Sequence, residues 1–451
     1  MFKKVLIANR GEIAVRVIEA CRELGIKTVA VFSEPDRGAL HVKLADEAFC
    51  IGPAEACASY LNIPAIMSAA EVSQADAIHP GYGFLAEDPN FVEVCEESKI
   101  KFIGPGFEAV RKAGNKLEAK LAVAAAGVPV VPGSGAIKTE EEALQEANKL
   151  GFPLIIKAAA GGGGRGMRII HNDTELLEKF HAARREAESA FGDPTVFFEK
   201  YLPRARHIEV QIFADSFRHI VHWGERECSI QRRYQKLIEE SPAPKLSQER
   251  RVQLWHAAIA AAKALNYQNA GTVEFLVNED GFYFIEINAR LQVEHPVSEE
   301  RVGRNLVKEQ IRLAAGEKLG YAQRDIKLQG HAIECRINAE DPEQGFLPQA
   351  GRVKIKQMPG GHGVRIDTAL YNDIEITPHY DSLLAKVITH GNSREEALRR
   401  MSAALRRFEL DGIKTTKELC KSIIESEAFI RGEFDTSFLK ALLETERKAP
   451  A

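Results

Sequence analysis

The segment Gly271-Thr-Val-Glu-Phe-Leu-Val-Asn-Glu-Asp-Gly-Phe-Tyr-Phe-Ile-Glu-Ile-Asn288 places two strand-like runs on either side of a turn sequence, Asn278-Glu-Asp-Gly281. Such a pattern reads as an antiparallel hairpin. If the hairpin is centred on Asp280, Glu274 and Glu286 stand directly opposite each other, with Cβ atoms roughly 5 Å apart, where like charges destabilise a sheet. Asn288 follows Glu286 by two residues and shares its face. Two carboxylates and an amide oxygen on one face make a hard oxygen site of the kind Mg²⁺ or Mn²⁺ takes. Two exposed glutamates on a solvated strand, or a different register, would give the same pattern.

Beyond Asn288 the chain continues Ala-Arg-Leu-Gln-Val-Glu-His-Pro296. An extended backbone here would point Arg290, Gln292 and Glu294 the same way, and together they could hold a small anion and remove its proton. Alternation of this kind also marks an ordinary wet strand face. Upstream, Glu225-Arg-Glu-Cys-Ser-Ile-Gln-Arg-Arg-Tyr-Gln-Lys236 packs four basic residues into twelve. The default for such a run is a solvated face. Further upstream, Leu154-Ile-Ile-Lys-Ala-Ala-Ala-Gly-Gly-Gly-Gly-Arg-Gly-Met-Arg-Ile-Ile170 sets four glycines between strand-like runs. No Gly-Lys-Ser/Thr opens a helix, so this is not a P-loop. It reads as a hairpin whose backbone amides can approach phosphate oxygens, with Lys157 on the entering strand. A flexible hairpin without a ligand is the bland alternative.

The first hundred or so residues have a different grammar. Val5–Ala8 is strand-like, Gly11–Leu24 is helically spaced, Gly25 stops the helix, and Thr28–Phe32 is strand-like again. This βαβ alternation implies a parallel sheet, and Asn9-Arg-Gly11 lacks the dinucleotide fingerprint. Val128–Ser134 reads as a boundary loop, and a strand region from His331 ends in a helix-rich tail. At 451 residues the chain exceeds a single core, so two or three domains are expected. Lysine and arginine total 60 against 64 acidic residues, a balance that argues against nucleic acid or an anionic membrane as partner. The seven scattered cysteines, without a CxxC, fit a reducing compartment, and no stretch reaches membrane-spanning length. A cytoplasmic location is expected.

Six stretches in order resemble biotin carboxylase of the ATP-grasp superfamily: Ala8-Asn-Arg-Gly-Glu-Ile13, His79-Pro-Gly-Tyr-Gly-Phe84, Gly161-Gly-Gly-Gly-Arg-Gly-Met167, Cys228-Ser-Ile-Gln-Arg-Arg233, Gln292-Val-Glu-His-Pro296 and Glu334-Cys-Arg-Ile-Asn-Ala-Glu340. The resemblance implies a mixed α/β and α+β protein in three parts. These are an N-terminal parallel-sheet α/β domain (1–114), an ATP-grasp domain (115–330) with a mobile lid (about 131–202), and a C-terminal α+β domain (331–451). It implies that Lys116, Lys157, Gly163 and Gly164 meet phosphate, and that Glu199, Lys200, Leu202, His207, Gln231 and Tyr234 surround the rest of ATP. Glu274, Glu286 and Asn288 match the family's metal ligands, for Mg²⁺ or Mn²⁺ and two ions by the family's habit. Bicarbonate falls to Lys236, Arg290, Gln292 and the Val293 amide, its proton to Glu294, and biotin to Tyr82 and Arg336.

The implied reaction is ATP-dependent carboxylation of biotin through carboxyphosphate, the first half-reaction of acetyl-CoA carboxylase or a related enzyme. None of the five methionines flanks a lysine in an Ala-Met-Lys-Met turn. Biotin is therefore expected on a separate carrier protein, with the carboxyltransferase on another chain and this chain a homo-oligomer, dimer or higher. Tyr234, Ala289 and Asn115 depart from the residues usual at their positions. The rival readings are another ATP-grasp ligase and a scaffold protein that binds nucleotide without chemistry.

Overall fold

The computed structural model describes residues 1–159 and 167–448, so Gly163 and Gly164 lie outside the described residues. Five parallel strands build the first sheet: β1 (Lys4–Ile7), β2 (Lys27–Ser33), β3 (Glu47–Gly52), β4 (Ala77–His79) and β5 (Lys101–Phe102), in the order β3-β2-β1-β4-β5. The helix Gly11–Glu23 covers it with Ile13, Val17, Ile18 and Cys21, and Gly25, at φ +71°, makes the left-handed exit. The strand order reverses at β1 and β4, whose carboxyl ends are where open sheets of this kind accept ligands. There Asn9 Nδ2 donates to the carbonyls of Pro80 (2.7 Å) and Tyr82 (2.8 Å), which fixes the loop carrying Tyr82.

A small sheet follows, of β6 (Leu154–Ala158), β7 (Arg168–Ile170) and β8 (Val196–Lys200), in the order β7-β6-β8. Leu154 pairs with Ile170, as the hairpin reading requires. Leu154, Ile156 and Phe198 join Ala143 and Ala147 of helix Glu140–Leu150 and Leu176, Phe180 and Ala183 of helix Asp173–Phe191 in a core of their own.

The large sheet holds the site. Its strands are β9 (Arg206–Ala214), β10 (Ile220–Arg232), β11 (Gln235–Ser241), β12 (Asn269–Val277), β13 (Phe282–Asn288) and β14 (His331–Asn338). They run β13-β12-β9-β10-β11-β14 and continue into Leu383–Gly391 and Val364–Thr368. Ile208, Val210 and Ile212 of β9 and Val273, Phe275 and Val277 of β12 pack on Leu254, Ala258 and Ala261 of helix Gln248–Ala264. Each such side chain contributes about 1.5–3 kcal/mol when fully buried. The period of two then sends Glu209, Gln211, Thr272 and Glu274 to the opposite face.

Two expectations change. The first part of the charged run Glu225–Lys236 is no solvated face: Glu225, Arg226 and Glu227 are at most 1% exposed on β10, in mid-sheet, and only Arg233 to Gln235 at the strand tip are exposed. Their charges are met by residues remote in sequence, Arg251 for Glu225, Glu209 for Arg226 and Arg206 for Glu227. Secondly, Arg290 to Glu294 is not an extended strand. β13 ends at Asn288, and Glu294, at ψ 12°, is the N-cap of helix His295–Val302, with Pro296 in its first turn.

Candidate active site

One cavity of about 1570 Å³ lies between the first sheet, the small sheet and the large sheet. It is lined by every site residue expected from the sequence that lies within the described residues, from Tyr82 and Lys116 to Glu294 and Arg336.

Glu274 and Glu286 are direct cross-strand partners. The turn alone would not achieve this. Val277 pairs with Phe282 and Phe275 with Phe284, so the ladder near the turn is centred half a residue before Asp280. A register shift between Glu274 and Phe275 leaves Ile285 as an extra residue and brings Glu286 opposite Glu274. Protein cations hold both carboxylates. Glu274 takes Lys236 Nζ at 2.9 Å, His207 Nε2 at 2.9 Å and Asn288 Nδ2 at 2.9 Å, and Lys116 Nζ lies 3.1 Å from Glu286. Burial would raise the Glu274 carboxyl, but Lys236 and His207 outweigh it and hold it well below the usual carboxylate range. Facing carboxylates that need cations this close fit a hard divalent ion, while the Asn288 oxygen accepts from Arg290 at 3.3 Å.

Lys236 is the hub. Its ammonium touches Glu209 (2.6 Å), Glu274 (2.9 Å) and Glu294 (2.6 Å). Burial works against its charge, and the three carboxylates reverse that and raise it well above the lysine range. Glu294 is fully buried, and its second oxygen accepts from Arg336 at 2.9 Å. Burial would raise its carboxyl, yet Lys236, Arg336 and Arg226 hold it well below the usual range, so it is ionised at neutral pH.

Arg290 leans on Glu87, with Nε to Oε2 at 2.7 Å, and donates to Gln292 Oε1 at 3.1 Å. The Gln292 Nε2 amide is buried and has no hydrogen-bond partner among the described residues. A fully buried ammonium, Lys386 on the strand Leu383–Gly391, donates to the Val293 carbonyl (3.1 Å) and pairs with Glu12 (3.1 Å). Glu12 in turn accepts the Tyr82 hydroxyl.

At the opposite end, Glu199 lies between Lys157 (2.6 Å) and Lys120 (2.8 Å). The Lys200 ammonium turns away to the carbonyls of Gly151 (2.9 Å) and Phe152 (3.0 Å), so only the rest of that residue faces the cavity. Tyr234 forms the tip between β10 and β11, 46% exposed, with Arg233 and Tyr234 both at positive φ. Asn115 caps helix Lys116–Ala125 through its contact with the Glu118 amide (3.1 Å), work that an aspartate would also do.

Glu87, Lys120, Glu209, Arg226, Glu239 and Lys386 escaped the sequence reading. For Glu209 a signal existed: Ile208-Glu-Val-Gln-Ile-Phe213 alternates in the same way as β12, its neighbour, where Glu209 pairs with Glu274.

Family models match along the chain: "Biotin carboxylase, N-terminal domain" over residues 1–110, "Carbamoyl-phosphate synthase L chain, ATP binding domain" over 115–322, and "Biotin carboxylase C-terminal domain" over 334–441. The sequence is 53% identical over 443 residues to biotin carboxylase 1 of Bacillus subtilis, covering 98% of each chain. Among solved structures, the biotin carboxylase of Campylobacter jejuni in a β,γ-ATP complex superposes with a TM-score of 0.95 at 49% identity, over 98% of this chain and 99% of the other. The biotin carboxylase domain dimer of Hydrogenobacter thermophilus 2-oxoglutarate carboxylase, with MgADP, ADP and bicarbonate, gives 0.96 at 48% identity over all of both chains.

Proposed function

The chain belongs to the biotin carboxylase family, and we propose that Lys236, Arg290, Gln292, Glu294 and Arg336 carry the ATP-dependent carboxylation of biotin that this membership entails. The observation that carries the assignment is the Glu294 carboxylate bridged by Lys236 and Arg336, beside a buried Gln292 amide without an acceptor among the described residues.

Bicarbonate would lie against Lys236, Arg290, Gln292 and the Val293 amide. An anion there draws on the cations that now hold Glu294 ionised, which raises that carboxylate's affinity for a proton. Glu294 then takes the bicarbonate proton as the anion attacks the γ-phosphate of ATP and ADP leaves. Lys116 and Lys157 neutralise charge on the phosphates, and Glu199, Lys200, Leu202, His207, Gln231 and Tyr234 enclose the nucleotide. Glu274, Glu286 and Asn288 would hold the Mg²⁺ or Mn²⁺ ions, which offset phosphate charge when bound. Carboxyphosphate breaks down to CO₂ and phosphate in the cavity. Phosphate takes the ureido proton, Arg336 stabilises the enolate that results, and Tyr82 lies beside the ring. Arginine suits this role because it stays charged.

The division into 1–114, 115–330 with a lid at about 131–202, and 331–451 belongs to the same reading, supported by the separate core of the small sheet. So do a biotin carrier and a carboxyltransferase on other chains, a homo-oligomer as in the Hydrogenobacter dimer, and a cytoplasmic location, which the seven free cysteines suit. No helix among the described residues is long and apolar enough to cross a membrane. The test is ADP release with bicarbonate and biotin each present or withheld. Release should need bicarbonate and rise with biotin; release indifferent to bicarbonate would overturn the assignment.

A further inference from the structure

The large sheet carries a second pair of facing glutamates that the steps above leave unused. Glu239 on β11 is the cross-strand partner of Glu334 on β14, so their side chains leave the same face with Cβ atoms about 5 Å apart. Both residues are 0% exposed. Glu239 Oε1 accepts from Arg336 Nε at 2.6 Å, and a terminal nitrogen of the same guanidinium reaches Glu294 at 2.9 Å. The other oxygen of Glu239 and both oxygens of Glu334 are buried with no hydrogen-bond partner among the described residues.

The charged groups that face the pair are Arg336 on β14, Lys386 on the neighbouring strand, Lys236 on β11, and Glu294 at the N-cap of helix His295–Val302. Lys386 is committed to Glu12 and Val293, and Lys236 to three other carboxylates. Arg336 alone serves both Glu239 and Glu294. Two carboxylates at this spacing, out of water and short of cations, do not both ionise.

We propose that Glu239 and Glu334 are positioning residues for Arg336: they share one proton, held on Glu334, and the single remaining charge on Glu239 anchors the guanidinium so that it faces Glu294 and the biotin. The inference rests on the assignment of Arg336 to biotin. Burial agrees with it, lifting Glu334 well above the carboxylate range and Glu239 to about 7. The shared proton is present at low pH and lost as pH rises through the titration of the pair. A second negative charge then appears beside Arg336 and competes with Glu294 for it.

The experiment is a pH profile of kcat and of KM for free biotin and for ATP, in the full chain and in Glu239→Gln, Glu334→Gln and Arg336→Met. In the wild type, KM for biotin should rise only above the ionisation of Glu239 at about 7, as Glu334 loses the shared proton. Glu334→Gln, which fixes a neutral hydrogen-bonding group in place of the acid, should flatten that rise. Glu239→Gln should raise KM for biotin about tenfold above pH 7, where the wild-type carboxylate is ionised, the scale of one lost charge-assisted hydrogen bond, while KM for ATP moves less than about threefold. If Glu239→Gln does not fold by thermal melting, the Glu334→Gln profile decides alone. An Arg336→Met variant with normal KM for biotin would sink the assignment of Arg336. With that KM raised, a Glu334→Gln profile like the wild type or a normal KM in Glu239→Gln would overturn the positioning role.

Discussion

Single side chains set the charge of this cavity. Glu274→Gln or Glu286→Gln removes half of a facing carboxylate pair, and turnover should fall about 10²–10³-fold, the usual cost of losing one preorganised charge-stabilising group. The fall should be checked against a Mg²⁺ titration, in which the half-saturating concentration rises. Tyr234→His should alter KM for ATP and leave kcat within a few-fold. Histidine tolerates the positive φ that Tyr234 adopts at the strand tip, and both side chains can donate and accept a hydrogen bond. Loss of turnover at saturating ATP would contradict this. Glu334 also affects stability. Its carboxyl is raised in the fold, first by burial, so the native state binds a proton that the unfolded chain releases above the ordinary glutamate range. That contribution is complete at low pH and is lost as pH rises. Glu334→Gln does not titrate, so its melting temperature relative to wild type should climb with pH; parallel curves would show that Glu334 is ionised in the fold.

At the scale of elements, close approach decides what can vary. A Cβ on Gly133 would come within 2.4 Å of the Phe198 carbonyl oxygen and 2.9 Å of Lys120 Nζ. Gly133→Ala must therefore push β8 and shift Glu199, which lies between Lys120 and Lys157. It should cost about 1–3 kcal/mol in a denaturation curve and raise KM for ATP. Much of the element level was legible. The turn Asn278–Gly281 and the alternation of β12 and β13 are local signals, and so is the glycine-bounded helix Gly11–Glu23. Two features were not. The bulge at Ile285 depends on how β13 meets β12 and leaves no mark in composition. The burial of Arg226 depends on Glu209, Gln211, Thr272 and Ser298, up to 72 residues away in sequence. The hub at Lys236 was hidden for the same reason, because its three carboxylates come from β9, β12 and a helix cap.

For the whole molecule, the sheet matters more than any boundary drawn along the chain. β11 pairs with β14, and the strands Leu383–Gly391 and Val364–Thr368 extend the same sheet. A fragment ending at 330 would leave β11 as a bare edge and remove Arg336. It should aggregate on expression and bind no biotin, as light scattering and equilibrium dialysis would show; a soluble, monomeric fragment would refute this. Delivery of biotin also belongs at this scale. A carrier-bound substrate gains from high effective concentration, so biotinylated carrier should be carboxylated much faster than free biotin at equal concentration. Equal rates would argue against a separate carrier.

The buried ammonium of Lys386 has a consequence for how the parts of the protein depend on one another. It contacts Glu12, the Val293 carbonyl and, at 3.7 Å, Asp367, residues drawn from the two ends and the middle of the chain. An ammonium leaves water only when its partners are in place, because stripping it of solvent without them costs several kcal/mol. While any one of the three regions is still unfolded, this lysine stays hydrated and the others gain little by closing around it. The charge therefore couples the stabilities of the three regions, because loosening any one of them leaves the buried ammonium short of a partner.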